Sequence, residues 1–208
     1  MEVAGTGRRQ TGRVRRVVVS VLVSADGFQS GRGGDLSVLP FDEGFSRHNL
    51  ERLRTAGTLL FGRRSYEGFE AYWPQVLADE AQPPVEREIA RINSGLDKLV
   101  VSDSLVLDPG SPWAATTRVV PRADAVAEVA ALREGDGGDV LAFGAVTTWN
   151  PLIRAGVVDE LHVLVGPALV GDGVPLYSGD RVPLTLRETR RLSDSQLVLL
   201  RFGTTPPG

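Results

Sequence analysis

The run Arg16–Val23, RVVVSVLV, constrains this chain more than any other segment. Its β-branched side chains lose rotamer freedom in a helix and pack well on a pleated surface. It has no apolar–polar alternation, so a strand built from it must be covered on both faces. That predicts a central strand in a largely parallel sheet. The run is too short for a signal peptide and lacks a small-residue cleavage site. No stretch approaches the roughly 18 apolar residues of a membrane span.

Further strands are expected at Thr58–Phe61, Lys98–Val101, Thr117–Val120, Asp139–Phe143 and Glu160–Val165. Thr185–Leu192 and Gln196–Phe202, around Ser193-Asp194-Ser195, read as a closing antiparallel hairpin. Between them the pattern predicts helices over Asp42–Ala56 with Gly57 as the stop, Arg64–Phe69, Val85–Ile92, Asp124–Leu132 and Val146–Ala155 with Gly156 beyond. Strand–helix alternation ending in a hairpin predicts an α/β fold. The sheet is expected to be mostly parallel, with helices on both faces and an antiparallel edge. At 208 residues the chain fits one domain. The expected division is a basic arm over 1–14, a single domain over 15–203 and a tail over 204–208.

Composition narrows the chemistry. Apolar residues make up 42% and charged residues 24%, as in an ordinary globular protein. There is no cysteine, which excludes disulfides, thiolate metal sites and a cysteine nucleophile. A net charge of −3 implies no general attraction to nucleic acid. The local exception is the stretch holding Arg8, Arg9, Arg13, Arg15 and Arg16 against only Glu2. It reads first as a frayed terminus with solvated charges, and alternatively as a phosphate-binding arm. The expectation is a cytoplasmic protein without membrane or nucleic-acid partners.

Familiar signatures are missing. There is no Walker A loop, no G-x-G-x-x-G between a strand and a helix, and no G-x-S-x-G elbow. His48 and His162 are too isolated for a metal site, and His162 reads as structural. What remains is a set of strand ends suited to anions. Phe61-Gly62-Arg63-Arg64-Ser65-Tyr66 places a glycine, two guanidiniums and a hydroxyl at a helix start. Ser102 ends the next strand, and Gly144-Ala145-Val146-Thr147 makes a glycine turn before another helix. Helix N-termini present free N–H groups and partial positive charge. Arginine adds bidentate contacts to phosphate oxygens. In open α/β sheets, ligands sit beyond the carboxyl ends of the strands. Each motif alone is commonly only a turn; together they imply a ligand carrying several phosphates.

Three segments carry a resemblance: Ser24-Ala25-Asp26-Gly27; Gly62-Arg63-Arg64-Ser65-Tyr66-Glu67 with Tyr72-Trp73-Pro74; and Val157-Val158-Asp159-Glu160-Leu161 with Gly166–Tyr177 (GPALVGDGVPLY). In this order, over about Arg16 to Phe202, the chain resembles the dihydrofolate-reductase-like family that includes the reductase domain of riboflavin biosynthesis. The resemblance implies a single-domain dihydrofolate-reductase-like fold and an NADPH-dependent reductase. Hydride would pass to a C=N or C=O bond of a small pterin- or pyrimidine-like heterocycle or an imine. It implies that Gly62, Arg63, Arg64 and Ser65 help hold phosphates, that Ser102 lies near the adenosine 2′-phosphate, and that Gly144, Ala145, Val146 and Thr147 receive the pyrophosphate. It also implies an Asp26-Gly27 turn near the nicotinamide, and a homodimer.

Reduction also needs a proton. Asp26, Asp42 and Glu43 are the leading carboxylate candidates, with Glu51 behind them; Asp42 and Glu43 equally suit an ordinary helix start. Gly27, Phe28, Phe45 and Trp73 are candidates to line a pocket for a flat heterocycle, Phe41 beside them, with core packing as the competing reading. A paired role for Asp159 and Glu160 reads as structural. The alternative function is a non-catalytic nucleotide-binding or regulatory module on the same scaffold, since fold does not fix function.

Overall fold

The computed structural model describes residues 15–204. The expected arm over 1–14 and residues 205–208 of the expected tail lie outside the described residues. The elements, in chain order, are β1 (Val17–Ser24), β2 (Phe28–Ser30), α1 (Glu43–Leu53), β3 (Ala56–Gly62), α2 (Arg63–Ala78), α3 (Pro84–Gly95), β4 (Asp97–Val101), β5 (Thr117–Val120), α4 (Ala125–Glu134), β6 (Asp139–Phe143), α5 (Val146–Arg154), β7 (Glu160–Gly166), β8 (Val174–Pro175), β9 (Thr185–Arg191) and β10 (Val198–Gly203).

One eight-stranded sheet runs β5-β4-β3-β6-β1-β7-β10-β9. β1 lies between β6 and β7, parallel to both, and every residue of it is buried. β3, β4 and β5 continue the parallel part, while β10 runs antiparallel to β7 and β9. The expected α/β sheet with an antiparallel C-terminal hairpin is therefore present.

The pleat of β1 separates two cores. Val17, Val19, Val21 and Val23 meet Val129 of α4 and Trp149 and Leu152 of α5. Val18 faces the other way, toward Leu50 and Leu53 of α1, Tyr66 of α2 and Ile89 of α3. Helices thus cover both faces, which is why the run could be apolar throughout. Each buried valine or leucine contributes about 1.5–3 kcal/mol. A smaller cluster joins Leu22, Leu39, Leu164, Leu192, Leu197 and Leu199 under the start of α1.

Three local expectations are corrected. The short helix over Arg64–Phe69 is instead the sixteen-residue α2, which passes through Pro74. Proline removes one helical hydrogen bond and strains the preceding turn. Phe69, Trp73 and Val76 recur at helical spacing; Val76 is buried, and Phe69 and Trp73 pack against the α1–α3 core, so burial on both sides of Pro74 outweighs the local breaker. The helix expected to run to Ala56 ends at Leu53, and Gly57 belongs to β3. A Cβ on Gly57 would lie 2.8 Å from the Gly138 nitrogen, so the glycine serves a close backbone approach between β3 and the start of β6. β2 and β8, unforeseen in the sequence, pair antiparallel through Phe28–Pro175 and Ser30–Val174.

Two arginines of the basic stretch are built into the domain. Arg16 bridges Asp139 at 2.6 Å and Glu160 at 3.0 Å, and Arg15 is buried. None of the helices among the described residues is long and apolar enough to cross a membrane.

Candidate active site

The chain leaves β3 into α2 on one face of the sheet and leaves β6 into α5 on the other. β3 and β6 are neighbours, and where neighbouring strands send their helices to opposite faces an open α/β sheet has its ligand crevice, here at the carboxyl edge beside the two helix starts. The approach is close: a Cβ on Gly62, the N-cap of α2, would lie 2.4 Å from Thr148 Oγ1 of α5. Only a glycine leaves this space open without displacing Thr148.

At the α5 side, Gly144 and Ala145 are both left-handed, with φ of 56° and 49°. The Gly144 N–H donates to the Ser20 carbonyl at 3.0 Å, and the Ala145 carbonyl accepts from Thr148 N at 2.8 Å and Trp149 N at 3.2 Å. No side chain caps the helix. The N–H groups of Val146 and Thr147 therefore lack helical partners and carry the positive end of the dipole. Left-handed alanine costs about 1–2 kcal/mol, a strain held by the fully buried Trp149 one turn on. Val146 is buried in the core and only its N–H can serve a ligand, whereas the Thr147 side chain is exposed.

At the α2 side, Ser65 Oγ accepts from the Gly62 N–H at 3.1 Å and donates to the Gly62 carbonyl at 3.0 Å, locking the turn. Arg63 pairs with Glu67 at 2.7 Å and reaches Ser104 Oγ at 3.1 Å. Arg64 is exposed and makes no ion pair among the described residues. Ser102 is buried, and its Oγ accepts from Ser104 N and Leu105 N, at 3.2 and 3.0 Å, shaping the loop after β4. Asp103 of that loop bonds Arg122, beyond β5, at both backbone and side chain. Ser104 and Arg122 were not singled out in the sequence; Arg122 follows Pro121 at a strand end, and that was the available signal.

Each candidate carboxylate has protein partners. Asp26 accepts from Ser24 Oγ at 2.6 Å, Gly171 N at 2.7 Å and Val170 N at 3.1 Å. The Ser24 hydroxyl, with these two backbone donors, holds its carboxyl down to about 2. It is a carboxylate clamp between the β1 turn and the loop after β7. Asp42 Oδ1 caps α1 through Phe45 N at 2.9 Å and its Oδ2 accepts from Ser195 Oγ at 2.6 Å. Glu43 pairs with Arg47 at 3.0 Å, and Glu51 lies 3.5 Å from Arg190. His162 is buried and its Nε2 lies 3.0 Å from Glu160. Among the described residues no cluster of three or more metal-binding groups forms.

Gly27 is left-handed at φ 86°, and Phe28 donates its N–H to Ser24 Oγ at 2.9 Å. Trp73 joins Phe69, which stacks on Phe143 at 6.2 Å. Phe143 is the β6 neighbour of Ser20, whose hydroxyl donates to Asn49 Oδ1 of α1 at 3.3 Å. Phe45 does not join them; it packs edge-on to Phe41 at 5.1 Å, over the smaller leucine cluster. At the same edge a cleft of about 480 Å³ lies between residues 31–38 and 170–172, bridged by Arg32 and Asp172 at 2.6 Å.

The arrangement has relatives. The RibD C-terminal domain family matches residues 15–200. An uncharacterized protein of Bacillus subtilis, YyaP, is 26% identical over 86% of this chain and 90% of its own length. A pyrimidine reductase-like protein of Corynebacterium diphtheriae superposes with a TM-score of 0.64 at 14% identity, covering 94% of each chain. Dihydrofolate reductase of Enterococcus faecalis, complexed with NADP(H), gives 0.56 at 14% identity over 90% of this chain and 94% of that one. The fold is thus dihydrofolate-reductase-like.

Proposed function

The chain belongs to the RibD C-terminal domain family, and from that premise we propose that it is an NADPH-dependent reductase of a small heterocyclic or imine substrate. One observation carries the reading: two uncapped or glycine-capped helix starts, from α2 and α5, converge across a glycine at the point where the sheet's helices part to opposite faces. The residues present fit a dinucleotide. The free N–H groups of Val146 and Thr147 and the turn Gly144-Ala145 suit a pyrophosphate. Arg64, with Arg63, Ser102 and the unforeseen Ser104 and Arg122, suits an additional phosphate, which favours NADPH over NADH. The enzyme of Enterococcus faecalis with the same fold holds NADP(H).

Bound NADPH would supply the hydride. The protein's own work is positioning. Gly27 and the Asp26 clamp fix the loop beside β1, while the stacked rings of Phe69 and Phe143, with Trp73 edge-on to Phe69, offer an apolar wall to a ring. Asn49 and Ser20 stand at its floor as neutral hydrogen-bonding groups. Asp26 is ionised at neutral pH and both oxygens of Asp42 are engaged, so the proton is taken from water at the crevice mouth rather than from either acid. A homodimer belongs to the same reading, and light scattering tests it.

The deciding experiment is a fluorescence titration with NADPH and with NADH, followed by an acceptor panel of pterins, pyrimidines and cyclic imines. Tight NADPH binding, much weaker NADH binding and turnover of one acceptor class are expected. NADPH binding without turnover across the panel would favour the non-catalytic module, and binding of neither nucleotide would remove the reading.

A further inference from the structure

The opposite edge of the sheet holds a second candidate site. At the amino ends of β3, β4 and β5, beneath α4, lies a cavity of about 280 Å³ lined by Arg15, Thr58, Lys98, Thr116, Arg118 and Leu132 among others. Its charge is unusual for a protein interior. Arg15 is 7% exposed and Lys98 is 2% exposed, and neither has a carboxylate within 4.0 Å among the described residues. Buried cations ordinarily have a counter-charge, because leaving water uncompensated costs several kcal/mol.

Each cation has neutral partners that fix its place without cancelling its charge. Arg15 Nε donates to the Gly138 carbonyl at 2.7 Å and Nη2 to Thr58 Oγ1 at 2.6 Å. Among the described residues its Nη1 has no hydrogen-bond partner and is not sealed away, and Arg15 lines the cavity. Lys98 Nζ donates to the Ser94 carbonyl and to Thr116 Oγ1, both at 3.0 Å, and sits 4.5 Å above the Trp113 ring. Burial pushes the Lys98 ammonium down to about 8, with Asp97 acting against that shift. Arg118, on the cavity's outer rim, is half exposed and pairs with Glu128 at 2.7 Å. One carboxylate, Asp97, lines the cavity against three cations.

The geometry points to a binding site for a small oxyanion of phosphate size at the amino edge of the sheet, held by Arg15 and Arg118 and distinct from the cofactor crevice at the carboxyl edge. A guanidinium with an uncommitted N–H group, a second guanidinium at the rim and the Thr58 hydroxyl are the donors such an anion uses, the Thr116 and Thr117 hydroxyls being spent on the Trp113 carbonyl. Its occupancy would tie β3, β5 and the end of α4 together, so it would stabilise the folded chain by mass action.

Calorimetric titration of the full chain with inorganic phosphate tests this, with sodium chloride at matched ionic strength and sodium acetate as parallel arms. Because the cofactor crevice also has cations, the Arg64→Ala variant is titrated alongside Arg15→Gln and Arg118→Ala. The expected result is saturable phosphate binding that Arg64→Ala keeps and that Arg118→Ala weakens about tenfold, as loss of a charge-assisted contact should. Arg118 is on the surface, so its variant folds even where Arg15→Gln does not. Absence of saturable binding, binding lost in Arg64→Ala but kept in Arg118→Ala, or acetate binding as tightly as phosphate would each overturn the assignment.

Discussion

Gly62 and Ala145 carry the tightest constraints of any single positions in the crevice. At Gly62 a methyl group would meet Thr148 Oγ1 at 2.4 Å, so Gly62→Ala is expected to cost about 1–3 kcal/mol and to weaken NADPH binding. Gly68 in the same helix has nothing within 4 Å of its Cβ position, and Gly68→Ala should instead stabilise by roughly 0.5–1 kcal/mol. Urea denaturation and nucleotide titration of the pair separate the local clash from a general effect of adding a methyl group. Ala145 is left-handed, so Ala145→Gly should leave stability unchanged or raise it by up to about 1 kcal/mol. A marked loss would show that the strain is absent. The run Gly62–Ser65 could be picked out as an anion-binding helix start because glycine, arginine and serine each have a reason to stand there. That Ser65 turns back on its own N-cap and that Arg63 is tied to Glu67 depended on rotamers, which spacing does not specify.

Among elements, α1 and the loop after β1 are held by side chains that had two readings in the sequence. Asp42 caps α1 and reaches Ser195 in the closing hairpin, so Asp42→Ala should cost about 1–2 kcal/mol in a chemical denaturation. If NADPH oxidation per folded molecule stays unchanged in that variant, the carboxyl is structural; a selective loss of turnover would return it to the chemistry. Asp26 ties the β1 turn to residues 170–171 through backbone donors that only its carboxylate can fully use. Asp26→Asn is expected to raise amide exchange at Val170 and Gly171 while leaving the core protected. α2 shows how an element's length escapes local signals: the helix expected to end at Phe69 runs on through Pro74, and the packing of Phe69, Trp73 and Val76 on both sides of the proline carries it onward.

For the molecule as a whole, the marked pH-sensitive feature is beneath α1. His48 is buried, its two ring nitrogens have no partner among the described residues, and it lies 5.6 Å from the His162 ring. Burial, then the nearby His162, Arg52 and Arg190, pushes His48 from 6.5 down to about 3. Between those values the unfolded chain binds a proton that the folded chain refuses. Stability therefore falls as pH falls, by up to about 1.4 kcal/mol per pH unit. The window to use is pH 6.5 to 4.5, above the range where Glu160, held down to about 2 by His162 and Arg16, begins to contribute. Urea midpoints across that window should drop in the native protein and stay flatter in His48→Gln; equal slopes would place the pH dependence elsewhere.

The boundary between what was legible and what was not follows range of interaction. The dense apolar strand, its central place, the strand–helix alternation, the closing hairpin and the glycine turns before α2 and α5 were readable, because each rests on the chemistry of adjacent residues. The small sheet of β2 and β8 was not, since Phe28 and Pro175 lie far apart in the chain and their pairing is set by the loops that carry them. Nor was the grouping of Trp73, Phe69 and Phe143 with Asn49 and Ser20 visible, because β1, β6, α1 and α2 meet there only in the folded chain. By itself the sequence determined which segments could be buried and where helix starts could receive anions. Only the tertiary structure decided which of those starts face each other, and it alone left Arg15 and Lys98 buried around a cavity with no ion-pairing carboxylate among the described residues, because partners distant in sequence are chosen by packing.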